Sequence, residues 1–142
     1  MNETDKAGQN YWSKTWESTE VPSAVNPRGL GLNNYANRCL HRIFRQVLVA
    51  SPVFRDGDLL EIGCGASAWL PYFSKEYGYR ISGIDYSQAG CVSAEQVLKN
   101  SKVEGSIYCL DAFSLPSDLL GKFDVVFSSG VVEHYRGKGG GG

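Results

Sequence analysis

Between Asn34 and Ala50 the apolar residues Ala36, Leu40, Ile43, Phe44, Val47 and Leu48 fall at three- and four-residue steps, while Arg38, Arg42 and Arg45 take other faces. This period is helical and Ser51-Pro52 closes it, so the pattern predicts one amphipathic helix. After the turn signal Asp56-Gly57 the period changes, and "DLLEIG" has the length and bounding residues of a buried strand. "SAWLPYFSKEYG" returns to helical spacing. Leu70, Phe73 and Tyr77 share a stripe, Pro71 falls in the first turn where its missing N–H is tolerated, and Gly78 can end the helix in the left-handed conformation. "YRISGID" is a second strand, and "SQAGCVSAEQVLKN" a second such helix, with Ser87 as candidate cap and Cys91, Ala94 and Leu98 on one side. "GSIYCLD" is a third strand, and a loop or short helix containing Pro116 leads to a fourth, "KFDVVFSSG".

Strands alternating with helical segments of about 10 to 15 residues read as right-handed βαβ units, an α/β fold with a parallel sheet and helices on both faces. Ligands of such sheets bind beyond the carboxyl ends of the strands, at the switch point beside the first one. The residues with chemical potential sit at those ends: Gly63 and Gly65, Asp85, Asp111, then Ser128 and Ser129. Residues 1–32 are polar and broken by Pro22, Pro27, Gly29 and Gly31, so this segment is expected to be irregular or to hold only a short helix. Its aromatics Tyr11, Trp12 and Trp16 suit either plain docking on the body or a lid over the cleft, since an aromatic surface attracts cations.

Composition narrows the function classes. The 142 residues are 42% hydrophobic and 20% charged, the profile of one soluble domain with a sizeable core. Fourteen Lys and Arg nearly balance 15 Asp and Glu, so no electrostatic footprint points to nucleic acid or an anionic membrane, and a small-molecule partner is the expectation. Cys39, Cys64, Cys91 and Cys109 are spread without a C-x-x-C pair, which speaks against a zinc site and a disulfide framework and fits thiols in a reducing cytoplasm. "MNETDKAGQNYW" lacks signal-peptide features, and no apolar run approaches the ~20 residues of a membrane span. A cytoplasmic protein is expected.

The turn after the first strand decides the ligand class. Gly63 and Gly65 lack Cβ atoms, permitting a tight turn whose backbone N–H groups can approach a ligand. Asp85 follows Gly65 by 20 residues, the spacing at which a carboxylate accepts ribose hydroxyls. These features fit a nicotinamide-dependent oxidoreductase as well, and Gly63-x-Gly65-x-x-Ala68 even satisfies the dinucleotide pattern. Glu61 separates the two. A carboxylate two residues before Gly63 opposes a pyrophosphate and suits a ligand carrying an ammonium and a sulfonium. The alternative is a buried glutamate that only bonds neighbouring backbone N–H groups.

"LLEIGCGASAWLPYF", "ISGIDYS", "IYCLDAF" and "FDVVFSSGVVEHY", in this order, resemble the first four strand-end motifs of class I S-adenosylmethionine-dependent methyltransferases, over Asp58 to Tyr135. The resemblance implies a Rossmann-like three-layer sandwich with a mainly parallel sheet, of which residues 33–136 would supply the first four strands. It implies that Glu61, Gly63 and Gly65 line the methionine end and that Asp85 holds the ribose. Tyr86 would pack by the adenine, Asp111 would bond its exocyclic amine beside Ala112, and Ser128 and Ser129 would border the methyl-donor cleft. The products would be a methylated acceptor and S-adenosylhomocysteine. Ser67 stands where a third glycine is common in the family turn and can cap the next helix. His134, next to Glu133, is the candidate general base for an acceptor that must lose a proton, the other reading being that it orders the loop or covers cofactor; His41 reads as a surface or boundary residue. The family fold has about seven strands, so the chain reads as truncated after the fourth, with 137–142 a flexible Gly-rich tail. The fourth strand is central in that family, so its exposed edge is expected to be buried in a homo-oligomer. A cofactor-binding fragment without turnover is the principal rival.

Overall fold

The computed structural model describes residues 8–52 and 55–131. The apolar run after Asp56-Gly57 forms strand β1, Asp58–Ile62, with Leu59, Leu60 and Glu61 all buried. Burial on both faces is what a central parallel strand requires, and the pairing supplies it. β1 is flanked in parallel by β2 (Arg80–Asp85) on one side and β4 (Val125–Ser128) on the other. β3 (Gly105–Cys109) pairs with β2, giving the order β3-β2-β1-β4, parallel throughout. The order in which strands are added therefore reverses at β1, with β2 and β3 laid down on one side and β4 on the other, and the crevice opens beside its end.

The helices form where the periodicity places them. α2 spans Tyr35–Val49 after a single 3₁₀ turn at Leu32–Asn34, α3 spans Trp69–Tyr77, and α4 spans Gln88–Ser101. Gly78 ends α3 at φ 74°, donating its N–H to the Ser74 carbonyl at 2.8 Å. Ser87 caps α4 by accepting the Gly90 N–H at 3.3 Å. These three helices share one face of the sheet: Phe44 of α2 and Phe73 of α3 lie 5.2 Å apart between ring centroids and both meet Phe127 of β4, at 5.4 and 5.2 Å. Tyr72, Tyr77, Ile81, Ala94 and Leu98 continue that core toward α4. Such ring pairs add roughly 0.5–1.5 kcal/mol each to the area they bury.

α2 departs from the expected pattern in how much of its apolar stripe is used. Phe44 and Leu48 pack inward and His41 bonds the Tyr72 hydroxyl at 2.8 Å, but Leu40, Ile43 and Val47 are 38, 51 and 65% exposed. The core takes only the face that meets α3. Residues 9–17 of the N-terminal segment form a helix, α1, which packs on α4. The rest of the segment is held at points: Val25 N–H bonds the Ala68 carbonyl at 3.1 Å, and Arg28 pairs with Glu76. Among the described residues no helix is long and apolar enough to cross a membrane.

Candidate functional site

At the end of β1 the chain turns sharply, with Gly63 at φ 70° and Gly65 at φ 37°. The N–H groups of Gly63 and Cys64 both reach the Ile84 carbonyl, at 2.7 and 3.0 Å, which ties the turn to β2. A Cβ on Gly63 would collide with Val131, and one on Gly65 with the Trp16 ring. Close approach, as much as dihedral freedom, fixes glycine here.

Two carboxylates stand behind this turn. Glu61 is 2% exposed, and its Oε2 accepts a hydrogen bond from the Ser67 hydroxyl at 2.6 Å. The same Ser67 oxygen accepts the Trp69 N–H at 3.1 Å, so Ser67 both meets the first N–H of α3, whose cap position is Ala68, and anchors Glu61. Burial pushes the Glu61 carboxyl up to about 8; the Ser67 bond opposes the rise and the charge of Asp85 adds to it. Asp85 is 5% exposed, and its two oxygens accept the N–H groups of Gly65 at 2.9 Å and Ser87 at 2.8 Å. Its carboxyl is also raised, by burial, against the pull of the Ser87 and Gly65 bonds.

α1 closes one side. Gln9 Nε2 donates to the Tyr86 carbonyl at 2.6 Å, and the Ser13 and Ser87 hydroxyls lie 3.2 Å apart. Trp16 stacks on Trp12 with centroids 6.0 Å apart and planes at 26°. Its ring fills a slot made by two residues without side chains, since a Cβ on Gly90 would lie 2.9 Å from both Trp16 Cδ1 and Asp85 Oδ1. The result is a mostly apolar cavity of ≈ 670 Å³, within the range of small-molecule sites.

Glu61, Gly63, Asp85, Tyr86, Ala112, Ser128 and Ser129 line this cavity. Gly65 does not line it: the residue is buried under Trp16, with its N–H on Asp85. Asp111 is exposed and outside the lining; its Oδ1 accepts the Phe113 N–H at 2.9 Å. His134 and Glu133 lie outside the described residues, as does the 137–142 tail. Sequence reasoning passed over Gly90, Trp69, Phe113 and Val131. Gly90 carried a signal, because glycine inside a helix costs about 1 kcal/mol relative to alanine without a compensating reason; Trp69, Phe113 and Val131 closely follow the motif residues Gly65, Asp111 and Ser129, but nothing in their spacing marks them as facing the cavity.

Chemically, two buried carboxyls, each with its proton affinity raised by burial and Glu61 further by Asp85, disfavour a phosphate and favour a cation. The aromatic wall of Trp12 and Trp16 favours the same charge. Among the described residues no group of three or more His, Cys, Asp or Glu could hold a metal ion.

The sequence pattern of the family described as a methyltransferase domain matches residues 59–139. The ribosomal RNA small subunit methyltransferase C of Actinobacillus succinogenes is 30% identical over 86 residues, 56% of this chain and 25% of that protein, so the chain spans a quarter of that relative's length. Among solved structures, magnesium protoporphyrin IX methyltransferase from Synechocystis with bound S-adenosylmethionine superposes with a TM-score of 0.61 at 19% identity, covering 96% of this chain and 67% of that one. An S-adenosylmethionine-dependent methyltransferase from Thiobacillus denitrificans, in complex with S-adenosylhomocysteine, gives 0.57 at 22%, covering 86% and 44%.

Proposed function

The chain belongs to the methyltransferase-domain family, and from that premise we propose that its cavity binds S-adenosylmethionine for methyl transfer to a small-molecule acceptor. The observation that carries this reading is Glu61, a carboxyl that lines the cavity while buried, bonded to the Ser67 hydroxyl and held near neutrality by burial. A cationic amino group would stabilise the ionised form of such a group, whereas a pyrophosphate would bring its own negative charge against two buried carboxyls and offer neither a counter-charge. The cavity volume leaves room for an adenosyl ligand, so the residues present fit the group. Glu61 would hold its ammonium end, Asp85 its ribose through the lone pairs left by Gly65 and Ser87, and Tyr86 with Ala112 its base.

S-adenosylmethionine supplies a methyl group already activated on a sulfonium, so the protein's task is alignment and exclusion of water. Ser128 and Ser129 border the opening at the end of β4, and Trp12 and Trp16 wall the opposite side. A small-molecule acceptor accords with the nearly balanced charge and the enclosed, largely apolar site. The chain's short span against its relatives supports a second reading, a cofactor-binding portion that leaves the acceptor site to other chain.

Titration calorimetry distinguishes these. The proposal expects one S-adenosylhomocysteine per chain, binding weakened by Glu61→Gln, and no binding of NADH. Binding without methyl release to any acceptor supports the second reading, and NADH binding without S-adenosylhomocysteine binding overturns both.

A further inference from the structure

Three of the four cysteines gather at the carboxyl end of β2, a placement that the cavity chemistry does not use. Cys91 lies in the first turn of α4, buried, with its thiol donating to the Asp85 carbonyl at 3.3 Å. The same carbonyl accepts the Leu110 N–H at 3.0 Å, so Cys91 sulfur sits against the end of β3. Cys109, the last residue of that strand, is the register partner of Asp85. Strand alternation settles where its side chain points. Gly105, Ile107 and Cys109 share a face; a Cβ on Gly105 would meet Leu98 of α4 at 3.0 Å, and Ile107 packs into the core on the helix side. α4 runs antiparallel to β3, and seven helical residues from Leu98 back to Cys91 cover about 10 Å. Four strand residues from Gly105 to Cys109 cover about 13 Å. The two lengths bring Cys91 over Cys109, and their side chains interact directly.

We infer that Cys91 and Cys109 form a modification site, a vicinal thiol pair that closes to an intramolecular disulfide on exchange with a low-molecular-weight disulfide. Cys109 is exposed and is the entry thiol, whereas Cys91 is buried and resolves the bond. In the first step Cys109 sulfur attacks one sulfur of the oxidant, the oxidant's S–S bond breaks, and one equivalent of its thiol leaves with the Cys109 proton. In the second, Cys91 sulfur attacks Cys109 sulfur, the mixed disulfide breaks, and a second equivalent leaves with the Cys91 proton. Two protein thiols are oxidised and one disulfide is reduced to two thiols. Burial and the neighbouring Cys109 keep the Cys91 proton on sulfur before exchange, which orders the steps. Closure removes the Cys91 hydrogen bond from the backbone of Asp85, so the modification reaches a cavity-lining residue.

Cys64 is the competing thiol: it is buried, burial chiefly and nearby Cys91 in part hold the proton on its sulfur, and that sulfur faces Gly83. The test uses the reduced full chain with oxidised glutathione as probe, followed by alkylation under denaturing conditions and peptide mapping. The expected product is a chain lighter by two hydrogens with a Cys91–Cys109 cross-linked peptide, and Cys39 and Cys64 alkylated. Cys91→Ser should retain glutathione on Cys109, and Cys109→Ser should leave Cys91 alkylated. A lasting glutathione adduct on wild-type Cys109, a Cys64–Cys91 cross-link, or no reaction at Cys109 overturns the inference. The wild-type result decides independently of how well either variant folds.

Discussion

Glu61 holds the largest share of the functional argument in one side chain. Its folded proton affinity is raised from 4.5 to about 8, so its contribution to stability is fully present below the unfolded value and is lost as pH rises through about 8. Glu61→Gln should therefore flatten the decline in thermal stability across that window and leave the variant more stable than wild type at its alkaline end. Asp85, raised in the same direction, keeps a residual slope. An unchanged melting profile from acid to alkaline buffer would contradict the assignment. Gly90→Ala makes the opposite kind of test: the helix gains about 1 kcal/mol of propensity, yet the new methyl meets Asp85 Oδ1 and Trp16. The variant should fold and bind S-adenosylhomocysteine roughly tenfold more weakly, on the order of 1.4 kcal/mol, by calorimetry. Glu61 and Asp85 were legible because a charge inside an apolar strand and a carboxylate at a fixed spacing are local signals. Asp111 matched its motif equally well but is engaged by the Phe113 N–H, a turn bond that no spacing rule reveals.

At the scale of elements, the first three strands and α3 were readable to within a residue or two because burial, period and punctuation agree there, whereas β4 begins three residues after the start of the run that predicts it. Gly78 and Ser87 end and begin helices as their chemistry dictates. α2 was readable as a helix but not in its exposure, since period marks an apolar stripe without saying how much of it finds a partner. α1 was the least legible, a nine-residue helix with no buried residue whose position depends on contacts far along the chain. Those contacts make Trp16 a wall of the cavity. Trp16→Ala should weaken S-adenosylmethionine binding by roughly threefold to thirtyfold, the range of a cation over an aromatic face at about 0.5–2 kcal/mol. Unchanged affinity would reduce α1 to a packing element.

For the whole molecule, the parallel order β3-β2-β1-β4 places every strand end with chemistry on one rim, which is why motifs scattered over seventy-odd positions converge on one cavity. Among the described residues β4 pairs only with β1, and Val126 is 59% exposed. An open parallel edge of this kind favours self-pairing. We expect the isolated chain to associate, with light-scattering mass rising with concentration; a constant monomer mass across dilution would refute this. The central claim, that this rim receives a cationic adenosyl ligand, is tested most directly by calorimetric titration with S-adenosylmethionine near neutral pH in buffers of different ionisation enthalpy. The account predicts one site per chain and release of a proton on binding, as Glu61 ionises beside the ammonium. Binding of NADH in place of S-adenosylmethionine, or binding with no proton released by wild type or Glu61→Gln alike, would contradict it.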